Sequence, residues 1–139
     1  MKFLIALSML LSVTVLHAQS VVSTLNGNQL TQNDSPPVPG PARIRLFLQN
    51  NCYIDVMTAI RVQNSRGQME SRGFYRLFPG QRAYVADVSS ADFLLYGVSS
   101  DNRFVWSGPY TLPLGANRYP AMLIRLPGDS GDWTTTLYC

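Results

Sequence analysis

The chain has only one lysine and one histidine among its 139 residues, and both lie within the first 18 positions. Lys2 is followed by an apolar run, and His17 precedes the small residue Ala18. A charge, an apolar run and a small residue in that order predict a secretory signal peptide over residues 1–18. The run is shorter than the roughly 20 residues of a spanning helix, so we expect a mature chain with no transmembrane segment.

Without lysine and histidine, the mature chain lacks the side chains on which several common catalytic systems depend. An imidazole is the usual base that activates a serine or cysteine nucleophile, and a lysine is needed for a Schiff base. Two cysteines without a histidine leave no tetrahedral set of zinc ligands. We therefore expect no catalytic residues, no metal and no cofactor.

The charge pattern argues against a nucleic-acid partner. Ten arginines and eight acidic residues follow residue 18, which leaves a small positive charge. Nucleic-acid-binding proteins concentrate their basic residues in a patch or stripe. Here the arginines are spread along the chain with acids between them, which predicts an ordinary solvated surface.

The chain has two cysteines, Cys52 and Cys139. An even number in an exported protein indicates a disulfide, because thiols are oxidised outside the cytosol. A bridge between residues so far apart in the sequence would stabilise the domain by about 4 to 5 kcal/mol in the chain-entropy model. A free or intermolecular thiol is the alternative.

The mature chain divides into two parts by composition. Residues 19–42 are polar at first and then carry four prolines in six positions. Such a segment buries too little apolar surface to offset its ordering entropy, which predicts a disordered polar and proline-rich arm. Residues 43–139 form the predicted folded domain.

The folded domain consists of eight short apolar or alternating runs separated by turn residues. This spacing predicts an all-β domain, a small antiparallel β-sandwich or partly closed barrel of about seven or eight short strands. The runs are RIRLFLQ, DVMTAIRV, RGFYRLF, RAYVADV, DFLLYGV, RFVW, AMLIRL and WTTTLYC. The stretch SRGFYRLFPGQRAYV at 71–85 predicts a hairpin that turns at Pro79-Gly80, with outward arginine stems covering aromatic surface.

Aromatic residues supply the candidate binding site. Flat rings stack against sugars, and tyrosine and tryptophan are enriched at binding hot spots. Trp106 precedes a Gly-Pro step, so we expect it to be half exposed near an edge. The candidates for contact with a partner are Trp106, Tyr110, Tyr75 and Tyr119. Core and cross-strand packing is the alternative role for these aromatics.

Carboxylates offer the one enzymatic alternative, because glycoside hydrolysis needs only two acids, one with a raised pKa. Most of the acids lie at predicted turns, where aspartate commonly binds the local backbone. Turn capping is therefore the competing role for these side chains. The acids available are Glu70, Asp87, Asp92, Asp101, Asp129 and Asp132.

Several short motifs resemble the bacterial family catalogued as domain of unknown function 1036. Over roughly residues 46–139, the matching elements are a glycine with two aromatics, a Pro-Gly turn, a Trp-x-Gly and a final aromatic-Cys. In this chain they are Gly73-Phe74-Tyr75, Pro79-Gly80, Trp106 with Gly108, and Tyr138-Cys139. The resemblance implies an exported fold and implies no activity.

Together these observations predict an exported protein, periplasmic or secreted, that acts as a non-catalytic binding module. Its expected partner is a protein, a glycan or another envelope polymer. The alternatives are a small carboxylate-dependent, glycan-directed hydrolase and a purely structural envelope component.

Overall fold

The computed structural model describes residues 21–25 and 43–139, and these residues form ten β-strands and no helix. The strands are β1 Val21–Leu25, β2 Ile44–Asn51, β3 Val56–Gln63, β4 Met69–Leu77, β5 Arg82–Val88, β6 Asp92–Ser99, β7 Val105–Trp106, β8 Tyr110–Leu114, β9 Asn117–Arg125 and β10 Gly131–Tyr138. The predicted all-β class is confirmed, and each of the eight predicted runs overlaps a strand. Strands β1 and β8 lie outside those runs.

The strands form two sheets that pack face to face, which confirms the sandwich. The first sheet has the order β1-β10-β2-β5, and the second has the order β4-β3-β6-β9-β8, with β7 beside β6. Paired strands are antiparallel except β2 and β10, which run parallel. Parallel pairing requires a long connection in place of a tight turn, and strands β3 to β9 lie between these two in the chain.

Apolar side chains, which alternate with polar ones along the strands, fill the space between the sheets. On β2, Ile44, Leu46 and Leu48 are fully buried, while the residues between them face outward. Phe93 and Leu95 on β6 meet them from the second sheet within one core cluster. Burying each such side chain contributes about 1.5 to 3 kcal/mol relative to leaving it in water.

The second sheet curls, so that one of its strands is covered on both faces. Ala59 and Ile60 are consecutive residues of β3 and both are fully buried. Ile60 belongs to the main core, whereas Ala59 forms a second, smaller cluster with Leu112 of β8 and Ala121 of β9. Strand β8 approaches β3 and β4 across the curled face. We call this face the concave face.

The predicted disulfide between Cys52 and Cys139 is confirmed, with an S–S distance of 2.12 Å and a Cα–Cα distance of 5.2 Å. It joins residues that follow the parallel neighbours β2 and β10. The described residues contain no free cysteine. The bond is of the kind that persists in the oxidising compartments of exported proteins.

The disordered arm predicted over residues 19–42 is wrong for Val21–Leu25, which form β1 and pair antiparallel with β10. The physical reason is the edge of β10, whose backbone groups would otherwise lack a strand partner. A hydrogen bond of 2.9 Å between the hydroxyls of Ser23 and Thr135 adds to the pairing. The signal peptide predicted over residues 1–18 and the rest of the arm lie outside the described residues.

The hairpin predicted at residues 71–85 is also wrong. Strand β4 pairs with β3 in one sheet and β5 pairs with β2 in the other, so the Pro79-Gly80 turn carries the chain between sheets. One of the arginines predicted to point outward, Arg72, instead donates from Nη1 to the carbonyl of Val85 at 3.0 Å. That bond satisfies an acceptor on the open edge of β5, which limits pairing with other chains.

A side chain at position 73 on β4 is expected to have a measurable steric effect. A Cβ added there would lie 2.9 Å from the Cα of Ala59 and from the carbonyl oxygen of Thr58, and the residue has φ +145°. We expect Gly73→Ala to lower the free energy of unfolding by about 1 to 3 kcal/mol through overpacking, measured by urea denaturation. Gly115→Ala is the matched control, because Gly115 also has positive φ but faces open space. Equal losses in the two variants would contradict the steric explanation.

Candidate binding surface

Trp106, the leading candidate contact residue from the sequence, lies in the main core. Its exposed fraction is 0%, and a Cβ added at Gly97 of β6 would lie only 3.1 Å from its ring. The expectation that Trp106 is half exposed is therefore wrong. The reason is that β7 pairs with β6, and the backbone at Gly108 lies against Met122 of β9 instead of bending away.

The other three predicted residues do not come together in one site. Tyr75 is half-buried against the main core, and its hydroxyl lies 3.4 Å from the carbonyl oxygen of Val85. Tyr110 is exposed at the start of β8. Tyr119 is half-buried on the concave face. A role for these three tyrosines in ligand contact stays a prediction.

Tyr119 belongs to an aromatic cluster with Phe74 and Tyr96. The rings of Tyr96 and Tyr119 stack with centroids 5.1 Å apart, and Phe74 meets Tyr119 edge-on at 5.0 Å. Burial raises the pKa of the Tyr96 hydroxyl, and the neighbouring Tyr119 adds to the effect. Because these rings contact one another and cover the smaller core cluster, their arrangement favours packing over a stacking platform.

A more exposed group of aromatic side chains lies at the end of the sandwich that carries the disulfide. We call it the loop-end surface, formed by Tyr53, Asp55, Arg76, Phe78 and Phe104. Tyr53 is 69% exposed and Phe78 is 53% exposed, so both present large apolar area to solvent. Exposed rings of this kind, beside an arginine, are the residue types from which binding hot spots are built.

The members of the loop-end surface form two groups of contacting side chains. Tyr53 meets Phe104 edge-on with ring centroids 6.1 Å apart. Asp55 accepts hydrogen bonds from Nη2 and Nε of Arg76 at 2.6 and 3.0 Å. The same guanidinium lies 5.2 Å from the ring centroid of Phe78. The surface therefore consists of an edge-on aromatic pair, Tyr53 with Phe104, and an ion pair that lies beside Phe78.

Asn50 fixes the loops that carry this surface. Its buried side chain donates to the carbonyls of Ile54 and Leu77 at 2.8 and 2.9 Å, and its Oδ1 accepts from the N–H of Cys52 at 2.8 Å. Its own carbonyl accepts from the N–H of Gly80 at 2.7 Å. One residue thus joins the loop after β2 to the turn after β4. A surface held in this way loses little conformational entropy on binding.

Sequence reasoning did not select Tyr53 or Phe78. Both flank loop markers, since Tyr53 follows Cys52 and Phe78 precedes Pro79-Gly80. Tyr53 lies outside the predicted runs and Phe78 is the last residue of one, and a large aromatic beside turn residues is the signal that could have found them, because loops rarely bury such side chains. Phe104 belongs to the run RFVW, although it lies in the connection before β7.

Two of the acids considered for catalysis, Asp101 and Asp87, accept hydrogen bonds from near neighbours in the chain. Asp101 accepts from the Ser99 hydroxyl at 2.7 Å and from the N–H of Arg103 at 3.1 Å, and these two bonds hold its pKa below the usual range. A general acid needs the opposite shift. Asp87 accepts a hydrogen bond from the hydroxyl of Tyr84 at 2.8 Å.

Metal sites and membrane-spanning helices are both absent from the described part of the chain. No group of three or more His, Cys, Asp or Glu side chains there could hold a metal ion. No helix there has the length and hydropathy needed to cross a bilayer.

No family model, curated protein or solved structure matches the chain. Membership of the domain of unknown function 1036 family therefore stays a prediction that depends on its short motifs. The function must be argued from the geometry of the molecule.

Proposed function

We propose that this protein is an exported, non-catalytic binding module that recognises a protein partner through the loop-end surface. The observation that carries the proposal is the exposure of Tyr53 and Phe78, at 69% and 53%, on loops fixed by Asn50 and the disulfide. Rigid aromatic side chains contribute large contact area at low entropic cost. Export to the periplasm or the medium is part of the proposal and is supported by the disulfide.

A protein partner fits this surface better than a glycan does. Arg76 lies over the ring of Phe78, so a sugar stacking on that face would have to displace the guanidinium. Asp55 and Arg76 together present an anion and a cation beside the ring of Phe78, and the side chain of Arg76 is 61% exposed. Mixed aromatic and charged surfaces of this kind are common at protein interfaces, where the charges fix register.

The hydrolase alternative has less support from the described contacts. Glu70, Asp55 and Asp132 each form an ion pair with an arginine, which gives these carboxylates a structural role. Finding hydrolytic activity in the pure protein, lost on substitution of Asp87, Asp92 or Asp101, would contradict the binding proposal.

Site-specific photo-crosslinking in the native compartment tests the proposal. A benzophenone amino acid would replace Tyr53 or Phe78, and Tyr84 is the matched control because it is 50% exposed on the outer face of the other sheet. We expect a discrete adduct of higher mass from positions 53 and 78 and none from position 84. The double variant Tyr53→Ala and Phe78→Ala, probed from position 104, should lose the adduct. Equal adducts from all positions, or none from 53 and 78, would contradict the assignment of this surface.

A further inference from the structure

Arg61 differs from the other arginines of the described residues in its burial and in its ion pairing. Arg61 and Arg72 are half-buried, whereas the other arginines there are exposed. Arg72 is paired with Glu70 and also bonds the carbonyl of Val85. Arg61 donates from Nη1 to the hydroxyl of Ser71 at 2.9 Å, and no carboxylate of the described residues forms an ion pair with it.

A partly desolvated guanidinium without a counter-charge is costly. Arginine is seldom buried unless it is paired, because a charge loses hydration energy when it leaves water. The guanidinium has five N–H donors in a planar fork, and the bond to Ser71 uses one of them. The remaining donors are arranged to bind a planar anion in a bidentate manner.

Arg61 lines a depression on the concave face. Its strand neighbour in the register is Leu94 of β6, which in turn lies opposite Leu123 of β9. The volume of the depression is about 260 Å³, below the roughly 300 to 1,000 Å³ that is usual for drug-sized ligands. It is lined by Arg61, Gln63, Met69, Asp92, Leu94 and Leu123, with Ser90 and Phe93. The depression therefore combines apolar side chains with one cation, Arg61, whose side chain donates one hydrogen bond, to Ser71.

We propose that this depression binds a small aliphatic carboxylate, with the carboxylate on Arg61 and the hydrocarbon chain along Leu94 and Leu123. The charge of the ligand complements the guanidinium, and the chain removes apolar surface from water at about 25 cal/mol per Å². Met69 is 51% exposed at the opening, and its flexible thioether chain can adjust to ligands of different shape. The site is separate from the loop-end surface and does not depend on it.

The other charged and polar groups of the depression allow an anion to enter. Asp92 is the acid in the lining, but its side chain is 53% exposed, and Arg125 lies 3.9 Å from it. Its repulsion of an anion is therefore reduced by solvent and by the neighbouring cation. Gln63 already donates from Nε2 to the carbonyl of Gly67 at 3.1 Å, which leaves Arg61 as the cation that faces the ligand.

Titration of the full mature chain with octanoate, followed through the methyl resonances of leucine and methionine, tests the site. We expect shifts at Met69, Leu94 and Leu123, and affinity for octanoate at least about tenfold higher than for the neutral octanamide, as a charge-assisted hydrogen bond predicts. Arg61→Gln should remove that preference. Arg66→Gln is the matched control, because Arg66 is exposed in the turn between β3 and β4.

Further variants and outcomes of this titration test whether Arg61 binds the carboxylate. If Arg61→Gln disturbs the fold, Arg61→Lys keeps the charge but loses the planar fork, and it should retain only part of the preference. The proposal would be overturned by equal binding of octanoate and octanamide, by resonance shifts confined to other regions, or by an unchanged preference for octanoate in Arg61→Gln. Loss of octanoate binding in the variant Tyr53→Ala and Phe78→Ala would also contradict it, because the two surfaces are separate.

Discussion

Replacing both Cys52 and Cys139 by serine is expected to lower the free energy of unfolding by about 4 to 5 kcal/mol. The two cysteines are 87 positions apart, and opening so long a loop returns a large amount of conformational entropy to the unfolded chain. That loss is close to the whole stability of a small domain, which is typically about 5 to 15 kcal/mol. Urea denaturation of the two proteins, compared at their midpoints, measures the difference.

The wild-type protein in reductant is the control for the serine variant. Its stability should fall by a similar amount, and intact mass after alkylation should then show two modified thiols. A serine variant as stable as the oxidised protein would contradict the prediction. Two free thiols in protein taken from its native compartment would contradict the presence of the bond there.

Asn50→Ala is expected to be the most disruptive single substitution near the loop-end surface, with a loss of about 3 to 5 kcal/mol. Removing the amide leaves the carbonyls of Ile54 and Leu77 and the N–H of Cys52 without their side-chain partner. Each buried polar group left unsatisfied costs about 1 to 3 kcal/mol. Urea denaturation gives the loss in stability, and crosslinking from position 53 shows whether the loops still present the surface.

Two further variants make the Asn50 test specific. Asn51→Ala removes the same side chain from the next residue, which is exposed, and it should change stability by less than about 0.5 kcal/mol. Asn50→Asp has nearly the same shape but loses the two Nδ2 donors and places a charge against two carbonyls, so it should be as damaging as alanine. If Asn50→Ala and Asn51→Ala have equal stability, the bonds of Asn50 are not what holds these loops.

Much of the local structure followed from the sequence because it depends on near neighbours along the chain. The run RIRLFLQ alternates every second residue, and Ile44, Leu46 and Leu48 accordingly lie in the core. The segment PLGAN is rich in residues that accept turn geometry, and the chain turns there from β8 into its partner β9. The cysteine pair followed from an even count in an exported chain.

Which strands pair was not predictable in the same way. The Pro79-Gly80 turn looks like the turn of a hairpin, since the same dipeptide serves hairpins and connections between sheets. In the structure β4 pairs with β3 and β5 pairs with β2, so the two strands belong to different sheets. Strand β1 was missed for a related reason, since its pairing depends on the edge of β10, more than 100 residues away in the sequence.

The candidate site depended even more on tertiary structure. Trp106 and Tyr53 are both large aromatics near turn residues, but one is 0% exposed and the other 69%. Trp106 is buried because its indole packs against Gly97, which has no side chain. Tyr53 is exposed because it lies in a loop that Asn50 fixes. Neither neighbour can be identified from the pattern of a single run.

The sequence by itself determined the β class, the positions of eight strands, the disulfide and the lack of lysine and histidine after residue 18. These features depend on composition and on a period of two residues, which are local properties. Only the tertiary structure decided the strand order, the burial of Trp106, the exposure of Tyr53 and Phe78, and the unpaired guanidinium of Arg61. Exposure and charge pairing depend on residues that are distant in the chain, and folding alone brings them together.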